Sequence, residues 1–227
     1  MFENWGIRDL LKFQPALRLL PAGNGPIQIA GALEFVVEPP GKDRIEDAYE
    51  IRMETPRAFP KDLPSVWETG GRVPKDFHKM YDGSLCLGSP TRQMLLLQRE
   101  PTLTGFINSC VVPYLYGYSY FEKHEKLPFD ELNHGPLGLI EDYCSIFDVG
   151  ELEAGIQMVK LASIRKRFAN KYQCPCGSGR RLGKCHNLKV NAIRKQLGRK
   201  WFEKELNLVL ALIERAKQAA SKGTNNA

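Results

Sequence analysis

Residues 74–87 read PKDFHKMYDGSLCL, and the run Asp82-Gly83-Ser84-Leu85-Cys86-Leu87 within them decides how the rest of the chain is read. Asp-Gly is a strong turn dipeptide, because glycine adopts positive φ without steric cost. Leu85 and Leu87 therefore flank a thiol placed just past a turn, with an apolar anchor on each side. A cysteine between leucines reads on its own as a small buried hydrophobe. His78, a short way upstream, opens a second reading in which Cys86 is a nucleophile sharing its site with an imidazole.

Working outward, Phe59-Pro60-Lys61-Asp62-Leu63-Pro64-Ser65-Val66 is followed by Arg72-Val73-Pro74, then His78, then the Cys86 run. In order and approximate spacing this resembles the ubiquitin-conjugating enzyme family. Members of that family carry a Tyr-Pro and Pro-Pro segment before a strand, then a histidine, then a G-S-(I/L)-C-L active-site run. The resemblance covers residues 1–155. It implies an α+β, UBC-like fold: an N-terminal helix, an antiparallel strand meander, the Cys86 loop on the flank of the sheet, and helices after it. It further implies thioester chemistry, in which the Cys86 thiolate takes an activated C-terminal carbonyl from a carrier protein and yields it to an amine.

The chain departs from the family in two places. Eukaryotic members have His-Pro-Asn, whereas His78 is followed by Lys79-Met80, and no asparagine stands where the family places one. His78 is read as an oxyanion donor, as a base toward the amine, or as a residue that only braces the loop. Gly88 replaces the acidic residue that often follows the Cys-Leu pair. These departures are similar to those of bacterial relatives encoded with ubiquitin-like systems or beside cyclic-oligonucleotide synthases in antiphage defence. The implied partners are a ubiquitin-like protein or the C-terminus of such a synthase, with or without an activating enzyme.

The second informative run is Cys174-Pro-Cys176-Gly-Ser-Gly-Arg-Arg-Leu-Gly-Lys-Cys185-His186. Three thiols and an imidazole within so short a segment suit a tetrahedral, structural zinc with no open position. Gly177 and Gly179 let the backbone turn between the two ligand pairs. So short and polar a segment has no core to hold it without metal. The run resembles the SEC-C zinc motif of the bacterial translocation ATPase, here spanning residues 171–188. In that family the motif is a non-catalytic module that contacts proteins or ribosomes.

Composition separates these two regions. Residues 1–155 carry 15 Lys and Arg against 23 Asp and Glu, a charge of −8; residues 156–227 carry 17 against 3, a charge of +14. An acidic body and a basic helical tail point to two units with different partners, the tail suiting a polyanionic or acidic one. No apolar run reaches the ~20 residues of a membrane span, and no secretory signal opens the chain, so a cytoplasmic protein is expected. The six cysteines do not form a disulfide framework.

Periodicity supplies the remaining elements. A helix is expected over residues 3–20, capped by Asn4 and kinked at Pro15. Strands are expected over 27–37, around 49–53 and at Trp67. A helix over 103–126 follows, weakened by Pro113 and Gly117, whose tyrosines face either the core or a partner. His134 to Gly138 reads as a turn, and His124 and His134 as ordinary polar residues. Helices are expected over 151–170 and 188–217, with disorder over 221–227. The alternative to an enzyme is a UBC-like adaptor whose zinc-bearing tail recruits a protein or nucleic acid.

Overall fold

The computed structural model describes residues 5–21, 23–129 and 135–223, with side chains as far as 218. The chain divides into two compact units, Met1–Glu131 and Leu132–Ala227. Asn4 and His134 lie outside the described residues.

The first unit is α+β. Its helix α1 (Ile7–Phe13) ends before Pro15, and the chain turns into strand β1 (Leu17–Leu20) where the sequence suggests more helix. Pro15 has no N–H to continue the helix. Strand pairing then takes the segment up, with Leu17 opposite Gly31 of β2 (Ile27–Val37). Gly31 has φ +131, and a Cβ there would meet the Ala16 carbonyl oxygen at 2.2 Å, so only glycine admits β1 at this distance. Gln14 locks the corner, its Nε2 donating to the Glu34 carbonyl at 2.8 Å and its Oε1 accepting from the Glu34 amide at 3.1 Å.

Strands β3 (Ile45–Thr55) and β4 (Ser65–Glu68) complete a four-stranded antiparallel sheet in the order β1-β2-β3-β4. Alternation places Ile29, Leu33, Ile51, Met53 and Val66 in the core, all fully buried. After β4 come α2 (Pro90–Leu97), α3 (Leu103–Phe106), a π-helical turn (Ile107–Val111) and α4 (Val112–His124). The expected helix over 103–126 thus contains an expanded turn directly ahead of Pro113, whose missing N–H such a turn accommodates. The tyrosines of α4 turn inward. Tyr114, Tyr116 and Tyr118 donate to the carbonyls of Phe77, Asp43 and Arg72, each at 2.9 Å.

The second unit is helical around the cysteine-rich segment: α5 (Gly135–Phe147), α6 (Leu152–Ser163), α7 (Lys166–Ala169), α8 (Asn187–Leu197) and α9 (Arg199–Gly223). Gly135-Pro136 opens α5 rather than forming a free turn, as proline suits a first helical turn. Gly198, at φ +84, breaks the expected 188–217 helix into α8 and α9. Helix continues through Gly223, into the stretch 221–227 for which disorder is expected; residues 224–227 lie outside the described residues.

The compact units meet at 131/132, whereas composition divides the chain at 155/156; α6 packs on both α5 and α9. Arg194, buried on α8, closes the end of α6 by donating to the Leu161 and Ala162 carbonyls at 2.6 and 3.0 Å. Deleting residues 171–227 is therefore expected to strip α5 and α6 of their cover, with strong binding of a hydrophobic dye. A truncated chain that binds no more dye than the whole protein would favour a division at 155. Among the described residues, no helix is long and apolar enough to cross a membrane.

Candidate functional site

The sheet unit places Cys86 on a short two-sided turn against its edge strand. Met80 to Gly83 is closed by the Gly83 amide donating to the Met80 carbonyl at 2.9 Å, with Gly83 at φ +81. The Asp82 carboxylate accepts from the Ser84 amide at 3.0 Å and the Ser84 hydroxyl at 2.6 Å. Those bonds hold its pKa below the usual carboxylate value. On either side of the turn, Lys79 bridges Leu85 and the Cys86 amide donates to the His78 carbonyl at 2.8 Å. The Leu85 amide donates to the Val66 carbonyl of β4 at 2.7 Å, which seats the loop on the sheet.

Past Cys86 the chain reaches Gly88, at φ +94, and then Ser89. The Ser89 hydroxyl caps α2 by accepting from the Arg92 amide at 3.1 Å. Cys86 is thus held from both sides. It lines an open cleft of about 460 Å³ whose walls include Leu63, Pro64, Leu85, Leu87 and Pro90, with the exposed Met80 and Tyr81 at its rim. Besides the thiol, its lining carries one carboxylate, Asp82, and one phenol, Tyr81.

His78 and Cys86 are brought together through the backbone. The His78 residue has φ +39 and its ring packs edge-on against Phe77 at 5.0 Å. Cys86 lines the cleft and His78 does not. Burial raises the pKa of the Tyr114 hydroxyl, and the nearby Cys86 sulfur raises it further. The other thiol of this unit, Cys110, is buried in the π-helical turn and pushed up to about 12 by desolvation.

Beneath the loop lies a polar brace with no signature in the sequence. The Glu68 carboxylate, its side chain 1% exposed, accepts from the Arg72 and Val73 amides at 3.3 and 3.1 Å and faces Lys79 Nζ at 3.8 Å. Lys79 Nζ donates to the Val73 carbonyl at 2.7 Å. The brace joins β4, the 72–73 turn and the segment that carries His78 and Lys79. Arg72 continues it outward, bidentate to Asp47 at 2.7 and 2.8 Å and stacked over Tyr49 at 4.4 Å.

In the helical unit, Cys174, Cys176, Cys185 and His186 present ligand atoms that all lie within 4.8 Å of one another. His186 Nδ1 is 3.2 Å from Cys174 Sγ and 3.3 Å from Cys185 Sγ, and Cys176 Sγ is 3.5 Å from Cys185 Sγ. Tetrahedral bonds of about 2.3 Å to sulfur and about 2.1 Å to nitrogen would give separations of this order. The segment forms by local pairing. Gln173 bridges Arg181, and the Cys174 amide donates to the Arg180 carbonyl at 2.8 Å. Gly177 and Gly179 have φ of +79 and +72, which makes the tight reversal.

The outer nitrogen of His186, Nε2, lies 3.3 Å from the Asp148 carbonyl oxygen, in the α5–α6 turn. That bond fixes the imidazole so that Nδ1 faces the thiols, as metal-ligating histidines require. Arg180 and Ser178 reach Cys185 Sγ at 3.5 and 3.3 Å, offsetting thiolate charge. Burial pushes the Cys174 thiol up to about 11, whereas the Ser178 hydroxyl draws Cys176 down to about 6. The group can hold a metal ion, with three sulfurs and one nitrogen filling a four-coordinate shell. Asp148, the residue that orients the histidine, belongs to a distant turn that no motif marks.

The chain matches no family model, no curated protein and no solved structure.

Proposed function

We propose that the protein is a conjugating enzyme of the ubiquitin-conjugating type that carries a protein C-terminus as a thioester on Cys86. The observation that carries this reading is the half-buried Cys86 thiol on the wall of a cleft, pinned between the His78 carbonyl and the capped start of α2. Cys110 and Cys144 are buried, and Cys174, Cys176 and Cys185 belong to the metal-binding group.

In the reaction, the Cys86 thiolate attacks a C-terminal carbonyl already held as a thioester on an upstream enzyme, and that enzyme's thiolate leaves. An amine then attacks the new thioester. The C–S bond breaks, Cys86 leaves as thiolate, an amide forms, and the amine proton passes to solvent. The apolar walls of the cleft suit an extended, uncharged tail at the carrier's C-terminus. His78, with its ring against Phe77, suits the bracing role best. The Cys174, Cys176, Cys185 and His186 group would hold zinc as a structural ion and supply no step of the transfer. This matches a bacterial ubiquitin-like or antiphage system in type, with the carrier a ubiquitin-like protein or a nucleotide synthase.

A peptide α-thioester ending in Gly-Gly, incubated with the whole protein and free lysine, tests the reading. Intact mass should show one acyl adduct, labile to reductant and mapped to Cys86, that discharges to lysine. Cys86→Ser should lower transfer to lysine by about a thousandfold or more, and Cys110→Ser should leave it unchanged. A Cys86→Ala protein that keeps the full yield would leave the adaptor as the working reading.

A further inference from the structure

Over residues 165–200 the chain carries twelve Lys and Arg and no Asp or Glu. Arg194 is the buried exception that closes α6; the remaining cations are exposed. Lys189 pairs with Asp148 at 3.7 Å. Arg165, Lys166, Arg167, Lys171, Arg181 and Lys184 have no ion-pair partner among the described residues. Two aromatic rings stand among these charges. Phe168 is 46% exposed on α7 and Tyr172 is 58% exposed one turn later. Arg167 already lies over the Phe168 ring at 4.7 Å, so a planar cation and a planar ring present one face.

The backbone holds this arrangement in place. The Tyr172 amide donates to the Ala169 carbonyl at 3.1 Å, and the Leu182 amide donates to the Tyr172 carbonyl at 2.8 Å. Arg181 stands opposite Gln173 on the adjoining strand. The rings are therefore carried on the scaffold of the cysteine turn. A ring left in water beside unpaired guanidinium and ammonium groups is the composition that binds a chain of phosphates with unpaired bases. The cations track the backbone, and each ring accepts the face of a base.

A membrane surface would call for several aliphatic side chains on the same face; Val190 and Ile193 of α8 are buried, which leaves Leu188, 83% exposed, as the one large exposed aliphatic side chain over residues 165–200. We infer that the surface made by α7 and the 172–181 turn binds single-stranded nucleic acid without sequence preference. This site is separate from the chemistry at Cys86 and does not depend on it.

The test uses the full-length, metal-loaded protein and a fluorescein-labelled oligouridine 20-mer in an anisotropy titration. Binding is expected in the micromolar range at low salt, with affinity falling as salt rises by about 0.7 log units per log unit for each cation engaged. Lys171→Ala with Arg181→Ala should flatten that slope. Phe168→Ala with Tyr172→Ala should weaken binding about tenfold or more while leaving the slope intact. Phe168→Tyr with Tyr172→Phe, which keeps both rings, should bind as the parent does, and so should Cys86→Ser. Photocrosslinking of a 4-thiouridine oligomer to the unsubstituted protein should label Phe168 or Tyr172, a readout that needs no variant to fold. The inference is overturned by crosslinks that fall elsewhere, by a duplex that binds as tightly, or by preferential capture on phosphatidylglycerol vesicles or polyglutamate.

Discussion

Glu68→Ala is expected to destabilise the sheet unit by about 3–5 kcal/mol, the cost of leaving one partner of a buried ion pair without the other. Glu68 is buried and Lys79 nearly so, with side chains 1% and 9% exposed. Removing the carboxylate strands the Lys79 ammonium and orphans the Arg72 and Val73 amides that donate to it. Trp67, the neighbour of Glu68 on β4, reports the transition by fluorescence in a urea titration. Lys79→Met alone should cost less, because the carboxylate keeps its two backbone donors. The double variant Glu68→Ala, Lys79→Met should cost less than the sum of the singles, as expected for residues in one network. Because the brace holds the segment whose His78 carbonyl accepts from the Cys86 amide, Glu68→Ala should also speed alkylation of Cys86. An unchanged midpoint with unchanged alkylation would show that the loop is held elsewhere.

Removing the metal is expected to be more severe for the helical unit. Apparent binding free energies of structural zinc in short peptides are about 10–16 kcal/mol at neutral pH, and that energy is folding energy. Chelation or Cys176→Ser should therefore erase the pairing of 173–174 with 180–181 and release His186 from the Asp148 carbonyl. Amide exchange measures this directly. The Cys174 and Leu182 amides, bonded at 2.8 Å to Arg180 and Tyr172, should pass from protected to freely exchanging. Native mass spectrometry should show one zinc per chain, lost in the variant. Protection of both amides in a metal-free protein would mean that the turn folds without an ion.

The β2 and β3 strands and the cysteine-rich turn were legible because their signals are local. Ile27, Ile29, Leu33 and Phe35 alternate with less buried neighbours, and a period of two identifies a strand whatever it packs against. Cys174, Cys176, Cys185 and His186 gather through a single tight reversal, so their spacing already contains their geometry. The N-terminal segment misled for the opposite reason. Leucines at 10, 11, 17 and 20 fit a helix, but Leu17 to Leu20 pair with β2 across a corner that only Gly31 admits. Pairing partners that far apart leave no trace in a local period.

By itself the sequence determined an α+β body, a turn that presents Cys86, a cysteine and histidine group that can hold a metal ion, and an acid-free basic stretch. Each of these follows from residue types within a turn or two of one another. The tertiary structure alone groups α5 and α6 with α9 in one compact unit, a grouping that composition does not mark. It alone supplied Glu68 as the anchor of the Cys86 loop and Asp148 as the residue that orients His186. A carboxylate at a strand end and a carbonyl in a helix–helix turn look like any others until folding removes the water around them. Burial is a property of the whole chain, and it turns an ordinary polar group into one that must find a partner.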